Sequence, residues 1–353
     1  MEKYGQYRDK GSGIAPFFPI APPASNPLLA PYHAFLFFLR LPFLIFAWAV
    51  WLLIIQWTPA GGLLRKANLW CILGIPGVWW IDIRVDGVQR GSLGKSGRLP
   101  GPGTIIASSY TSPLDIIYLA AIFDPIFTQS YAGVRGVRPL SLEGALASCF
   151  TMSPSPDNTI ELSKLVAQNP SRVIVVFPEG TTSNGRGVLR LSPSLLSASG
   201  RTSIFPVSLR YTPADVVTPI PGFFEAINFL WKLCSRSTHC IRVRIGMPTT
   251  LVQQAGDAAD SSSGRGRNPK RNSYDTNFFD SLQSSPAQKV GENGVESDTE
   301  SEELSAAEQK ALDCVTESLS RLGRAKTLGL GVEEKVQFVN AWTGKASKKT
   351  KRR

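Results

Sequence analysis

The chain has 353 residues, with 38 Lys+Arg against 27 Asp+Glu and a net charge of +11 at neutral pH. Six of those positive charges lie in Lys345–Arg353, and a surplus resting on one tail argues against a nucleic-acid groove, which needs basic residues spread over a folded face. At 43% hydrophobic the chain is too apolar to be wholly disordered, and its five scattered cysteines lack the spacing of a disulfide scaffold or a structural zinc site.

Residues 1–33 are polar, then rich in proline (Pro16, Pro19, Pro22, Pro23, Pro27, Pro31), which predicts an unstructured arm. The apolar run that follows, Ala34–Trp57, starts too late for a secretory signal. As a helix it would reach about 36 Å, enough to cross a hydrocarbon core of about 30 Å. Arg40 and Pro42 predict an interfacial end with a snorkelling arginine, and Trp48, Trp51 and Trp57 suit a headgroup belt. A weaker apolar stretch, Leu63–Trp80, is broken by Arg65, Lys66, Gly74, Pro76 and Gly77, so that one span and a helical hairpin both remain open. Residues 34–80 are accordingly expected to anchor the chain in a membrane.

Past residue 80 the pattern becomes short β-type runs alternating with helical ones. Strands are predicted over 79–87, 104–110, 126–131, 172–177, 204–211 and 241–248, several of them almost continuously apolar, as strands covered on both faces should be. Helices are predicted after Pro113, Leu140 and Asp157, the first with Ser112 as N-cap and Pro113 at N1. The alternation predicts an α/β domain with a central sheet over 81–252. Residues 253–302 collapse into Ser, Gly, Asp, Asn and Arg and predict a disordered insertion; Ser297, Thr299 and Ser301 among acidic neighbours are candidate phosphorylation sites. Within it, the pair in Asn277-Phe-Phe-Asp-Ser-Leu282 only loosely resembles a receptor-tethering signal, and chance is the simpler account. An amphipathic helix over 303–325 rejoins the domain, and 326–353 is left as a basic tail.

Two polar segments follow predicted strands. Ser108-Ser-Tyr-Thr-Ser-Pro-Leu-Asp115 joins a strand to a helix, and Phe177-Pro-Glu-Gly-Thr-Thr-Ser-Asn-Gly-Arg-Gly187 follows the apolar run Arg172–Phe177. Ligands of α/β sheets bind beyond the carboxyl ends of strands. Gly180, Gly185 and Gly187 let backbone N–H groups approach an anion, Thr181, Thr182 and Ser183 add hydroxyls, and Glu179 is a carboxylate fixed at a strand end. By itself the second segment is equally a polar loop with an Asn184-Gly185 turn.

Together and in this order, the segments resemble the glycerolipid acyltransferase family, whose blocks are His-x4-Asp and Phe-Pro-Glu-Gly-Thr. Phe177–Thr181 match the second block fully, Asp115 matches the aspartate of the first, and Ile204-Phe-Pro-Val207 resembles the block that closes the site. The resemblance covers about 79–250 plus the final helix, with fungal lysophosphatidic acid acyltransferases as the nearest type. It implies a central mixed sheet flanked by helices, preceded by the membrane anchor. It also implies that a lysophospholipid hydroxyl attacks an acyl-CoA thioester, most simply lysophosphatidic acid giving phosphatidic acid. No metal or bound cofactor is implied, since acyl-CoA is a co-substrate.

Tyr110 stands where the family has its histidine, and Thr182 where an arginine is common. A phenol with pKa about 10 is a poor base at neutral pH. Carried over residue by residue, the site is Asp115 with Tyr110 in a positional role, and Glu179, Gly180, Thr181, Thr182, Ser183 and Arg186 around the acceptor. Arg135, Arg138 and Arg190 are further candidate phosphate contacts. His33 and His239 offer no obvious replacement base, His239 being expected at a strand entrance. The alternative is a pseudoenzyme, a membrane protein that binds lipid or CoA. The resemblance places the domain and carboxyl end on the cytosolic side of endoplasmic reticulum or lipid droplets, where Lys349 and Lys351 resemble a signal read by coat proteins. A polybasic contact with anionic lipid gives the same topology.

Overall fold

A computed structural model describes residues 2–22, 26–58, 62–88, 98–152, 158–251 and 305–344. Seven strands form one mixed sheet in the order β1-β8-β7-β2-β5-β3-β4. They are β1 (Val78–Val85), β2 (Ile105–Ser108), β3 (Ile126–Ser130), β4 (Val137–Leu140), β5 (Ile174–Phe177), β7 (Ile204–Thr212) and β8 (His239–Ile245). The central run β7-β2-β5-β3 is parallel, β1 pairs parallel with β8, and β8 and β4 run antiparallel to β7 and β3. Two-residue strands β6 (Gly187–Val188) and β9 (Lys326–Thr327) pair separately. The six predicted strands are all present; β4, β6 and β9 are additional, β6 and β9 too short for a periodicity to be read and β4 an edge strand interrupted by Pro139.

Side chains alternate along the central strands and so feed two cores. Ile106, Val175 and Val207 point to one side, where α3 (Pro113–Phe123) and α2 (Leu63–Gly74) lie. Ile105, Ala107, Ile174 and Val176 point to the other, against Leu312, Val315 and Leu319 of α7 (Ala306–Gly323). Ser112 caps α3 and Pro113 opens it, as the sequence predicts.

Helix α1 (Ala30–Leu53) belongs to the single segment, Pro27–Trp57, that is long and apolar enough to cross a membrane among the described residues. Leu44, Ala47 and Trp51 form a buried stripe, while Phe35, Phe38, Phe43 and Phe46 remain exposed. The stripe packs on the domain, and Trp51 Nε1 donates to Glu143 at 2.6 Å, so Trp51 is not a headgroup residue. Nor does Arg40 snorkel: its guanidinium donates to the carbonyls of Pro76, Cys234, Arg236 and Ser237 and so ties the helix to the domain. The second apolar stretch divides into α2, which buries Leu69, Ile72 and Leu73 on the domain, and the start of β1.

Both ends of the chain depart from expectation. The arm predicted to be unstructured has a helical turn at Glu2–Tyr7, and it buries Tyr7 and Phe17 around Phe338 of α8 (Val332–Trp342). The stretch left as basic tail supplies that helix. Each segment has too little apolar surface for a core of its own; paired, they share an aromatic cluster of Tyr4, Tyr7, Phe17, Phe18, Phe338 and Trp342. The 253–302 insertion, the candidate phosphorylation sites and Lys349 and Lys351 lie outside the described residues.

Candidate active site

Because β2 and β5 are hydrogen-bonded neighbours running parallel, the loops at their carboxyl ends meet. The Ser183 N–H donates to the Tyr110 carbonyl at 2.9 Å, joining the second polar segment to the first. Thr182 Oγ1 donates to the Thr218 carbonyl at 2.7 Å, and the Thr218 N–H returns to the Thr111 carbonyl at 2.9 Å. Tyr110, Asp115 and Glu179–Ser183 are thus one buried constellation, while Arg186 is exposed at its rim.

Asp115 is the third residue of α3 and closes its capping box. Oδ2 accepts from the backbone N–H groups of Thr111 and Ser112 at 2.7 and 2.9 Å and from Thr111 Oγ1 at 3.0 Å; Oδ1 accepts from the Tyr211 hydroxyl. Burial pushes its pKa up to about 6, with the Tyr211, Thr111 and Ser112 hydrogen bonds opposing the rise.

Glu179 is buried where β5 ends, and burial pushes its pKa up to about 8 against hydrogen bonds from the Leu189 backbone and the Ser183 side chain. Oε2 has no hydrogen-bond partner among the described residues. Glu179 lines a cavity of about 510 Å³, shared with Arg190, Leu191, Asp313, Leu328 and Val332. Gly180 turns the chain beside it with φ +64; a Cβ there would lie 3.2 Å from the Ser130 carbonyl oxygen.

Tyr110 is 5% exposed and stacks on Phe177 with centroids 4.3 Å apart. Its hydroxyl faces α4 (Leu142–Ser148), 2.7 Å from Ser148 Oγ, with Cys149 Sγ at 3.4 Å. No hydrogen bond joins it to Asp115 among the described residues. Burial first, then Cys149, holds the phenol well above its ordinary pKa, so at neutral pH it is a donor or spacer and not a base.

Of the other arginines, Arg135 is paired with Glu308 at 2.6 Å and Arg190 borders the Glu179 cavity. His239 opens β8 as expected, its Nε2 against the Leu233 carbonyl at 2.8 Å, and His33 lies against the Ser235 carbonyl, so neither faces the constellation.

Sequence reasoning missed Lys335. Its buried Nζ donates to the carbonyl and Oγ1 of Thr182, both at 2.7 Å, and burial pulls its pKa down to about 7. The missed N-terminal arm also touches the site, since Asn184 Nδ2 donates to the carbonyls of Ala15 and Phe18. Neither segment carries a motif; only the fold brings them to the loop.

The result is a mixed sheet with helices on both faces, with a buried aspartate and a buried glutamate beyond the ends of two adjacent strands. Residues 92–210, from β2 through most of β7, match the Acyltransferase family model. A Schizosaccharomyces pombe protein, named provisionally as a lysophosphatidic acid:oleoyl-CoA acyltransferase, is 26% identical over 74% of this chain and 89% of its own length. Lysophosphatidic acid:oleoyl-CoA acyltransferase 1 of Saccharomyces cerevisiae is 28% identical over 54% of this chain and 61% of its own. Glycerol-3-phosphate acyltransferase 3 of Mus musculus is 28% identical over 32% of this chain and 27% of its own. No solved structure matches at the same stringency.

Proposed function

We propose that this chain is a membrane-bound acyltransferase that moves a fatty acyl group from acyl-CoA to the free hydroxyl of lysophosphatidic acid, giving phosphatidic acid for glycerolipid synthesis. The observation that carries the reading is the fusion of the two loops through Ser183 and Tyr110, which sets Asp115 and Glu179 in one buried site. The acceptor oxygen attacks the thioester carbonyl carbon, the carbon–sulfur bond breaks, and the hydroxyl proton leaves with the CoA sulfur. Asp115 orders the loop, Glu179–Ser183 hold the acceptor, and Tyr110 acts by position. Orientation of two bound substrates then supplies much of the rate. The reading needs no metal or bound cofactor. It places the chain on the cytosolic face of endoplasmic reticulum or lipid droplets, where acyl-CoA is available, with coat-protein recognition of the Lys349–Lys351 tail as a further expectation.

The test is transfer from labelled oleoyl-CoA to a panel of lysophospholipids, using membranes with wild type beside Glu179→Ala. Product that disappears in the variant supports the enzyme, and the panel names the acceptor. The burial of Tyr110 away from Asp115 favours one second reading, a lipid- or CoA-binding pseudoenzyme. No transfer above empty membranes, with folded protein present, would select it.

A further inference from the structure

The sheet face opposite the one that carries Tyr211, the donor to Asp115, is crowded with arginine. Register sets Arg210 opposite Arg242, Arg242 beside Asp82, and Arg244 beside Arg84. Side chains two apart on a strand share a face, so all five belong to one surface. Arg324, just past α7, adds to it: burial, then Arg244, Arg242 and Arg324 in turn, holds the Arg210 guanidinium below its ordinary pKa. Asp82 pairs with Arg84 at 3.4 Å. Among the described residues, Arg186, Arg210, Arg242, Arg244 and Arg324 have no ion pair.

Guanidinium groups that outnumber the acids beside them repel one another, and an anion lowers that cost. Here they surround space for one. A cavity of about 230 Å³ is lined by Arg186, Arg210 and Arg242 together with Thr111, Asn184 and Tyr211. Its lining meets the site at two residues: Thr111 and Tyr211 are the side-chain donors to Asp115, and Arg210 Nη2 donates to the Gly185 carbonyl at 3.3 Å.

We propose that Arg186, Arg210 and Arg242 bind a phosphomonoester carried by one of the two substrates, at a subsite beside Asp115. The inference rests on the acyltransferase reading for the identity of those substrates. Two sources share the chemistry, the phosphate of lysophosphatidic acid and the 3′-phosphate of CoA. A phosphomonoester carries a charge of about −1.5 to −2 and three acceptor oxygens, and guanidinium forks match that geometry.

The experiment uses the full chain in detergent and two ligand pairs: oleoyl-CoA against its 3′-dephospho form, and lysophosphatidic acid against monoacylglycerol. For each pair, the ratio of kcat/KM with and without phosphate is compared between wild type and Arg210→Gln/Arg242→Gln. We expect the ratio to fall about tenfold or more for one pair, which identifies the source, with partial recovery in Arg210→Lys/Arg242→Lys because charge returns without the fork. Arg186→Gln, in an exposed loop, repeats the test if the double variant does not fold. The proposal is overturned if both members of every pair lose equally, if no ratio moves, or if only vesicle binding falls. Ligand-induced shifts in Tm are read in parallel. A phosphate-dependent shift that wild type shows and the variants lose, without any transfer, would sink the acyltransfer reading and leave the subsite standing.

Discussion

The Tyr211 hydroxyl donates to Asp115 Oδ1 across 96 positions of sequence, completing a shell in which both carboxylate oxygens are engaged. One strand away from β2, β7 therefore fixes the aspartate of the first loop. Tyr211→Phe removes that donor and leaves a buried oxygen without it. Stability should fall by about 1–3 kcal/mol, and Asp115 should titrate higher than in wild type. Urea unfolding at pH 7 checks the first; an unchanged midpoint would mean the hydroxyl contributes nothing net.

Tyr110→His restores an imidazole at the position from which the family resemblance draws a base. General-base catalysis is typically worth about 10²–10⁴-fold, and some of that should be recovered if Asp115 and Glu179 sit in a working site. Transfer is therefore expected to rise about tenfold, short of the full range because the ring lies on an apolar bed against Phe177. A folded variant that stays inert would speak for the pseudoenzyme.

Stability should depend on pH with two opposing slopes. Glu179 is raised from 4.5 to about 8, so its favourable contribution is complete at low pH and is lost as pH rises through 8. Asp115 adds the same sign between 3.8 and about 6. Lys335 is lowered from 10.5 to about 7, so the unfolded chain binds more protons above pH 7 and stability recovers toward 10.5. Each slope is at most about 1.4 kcal/mol per pH unit. Denaturant unfolding across pH 4–10 should show Glu179→Gln flattening the acid-side fall and Lys335→Met the alkaline rise; curves parallel to wild type would refute the assignment.

Gly180→Ala puts a side chain at φ +64 and a Cβ 3.2 Å from the Ser130 carbonyl oxygen. The left-handed backbone alone costs roughly 1–2 kcal/mol, and the loop must also shift. We expect a Tm several degrees lower and transfer reduced more than tenfold, because Glu179 moves with the turn. Gly133→Ala, with φ +72 and open space around it, is the control that pays only the conformational cost.

The local pieces are legible along the chain. Ser112-Pro113 announces where α3 begins, the run to Phe177 announces a strand covered on both faces, and Ala34–Trp57 announces its apolar helix, because capping, alternation and length are written within a few residues. The chain also holds the arginine row in plain alternation, as Arg242-Val-Arg244, without saying what lies opposite. Packing makes β2 and β5 neighbours, sets Arg210 opposite Arg242, turns Trp51 and Arg40 toward the domain, and brings Lys335 to Thr182 from a segment that reads as tail. These are contacts between residues far apart in the chain. Each is selected by the burial and hydrogen bonding of both partners at once, so neither partner's neighbours in sequence carry a sign of it.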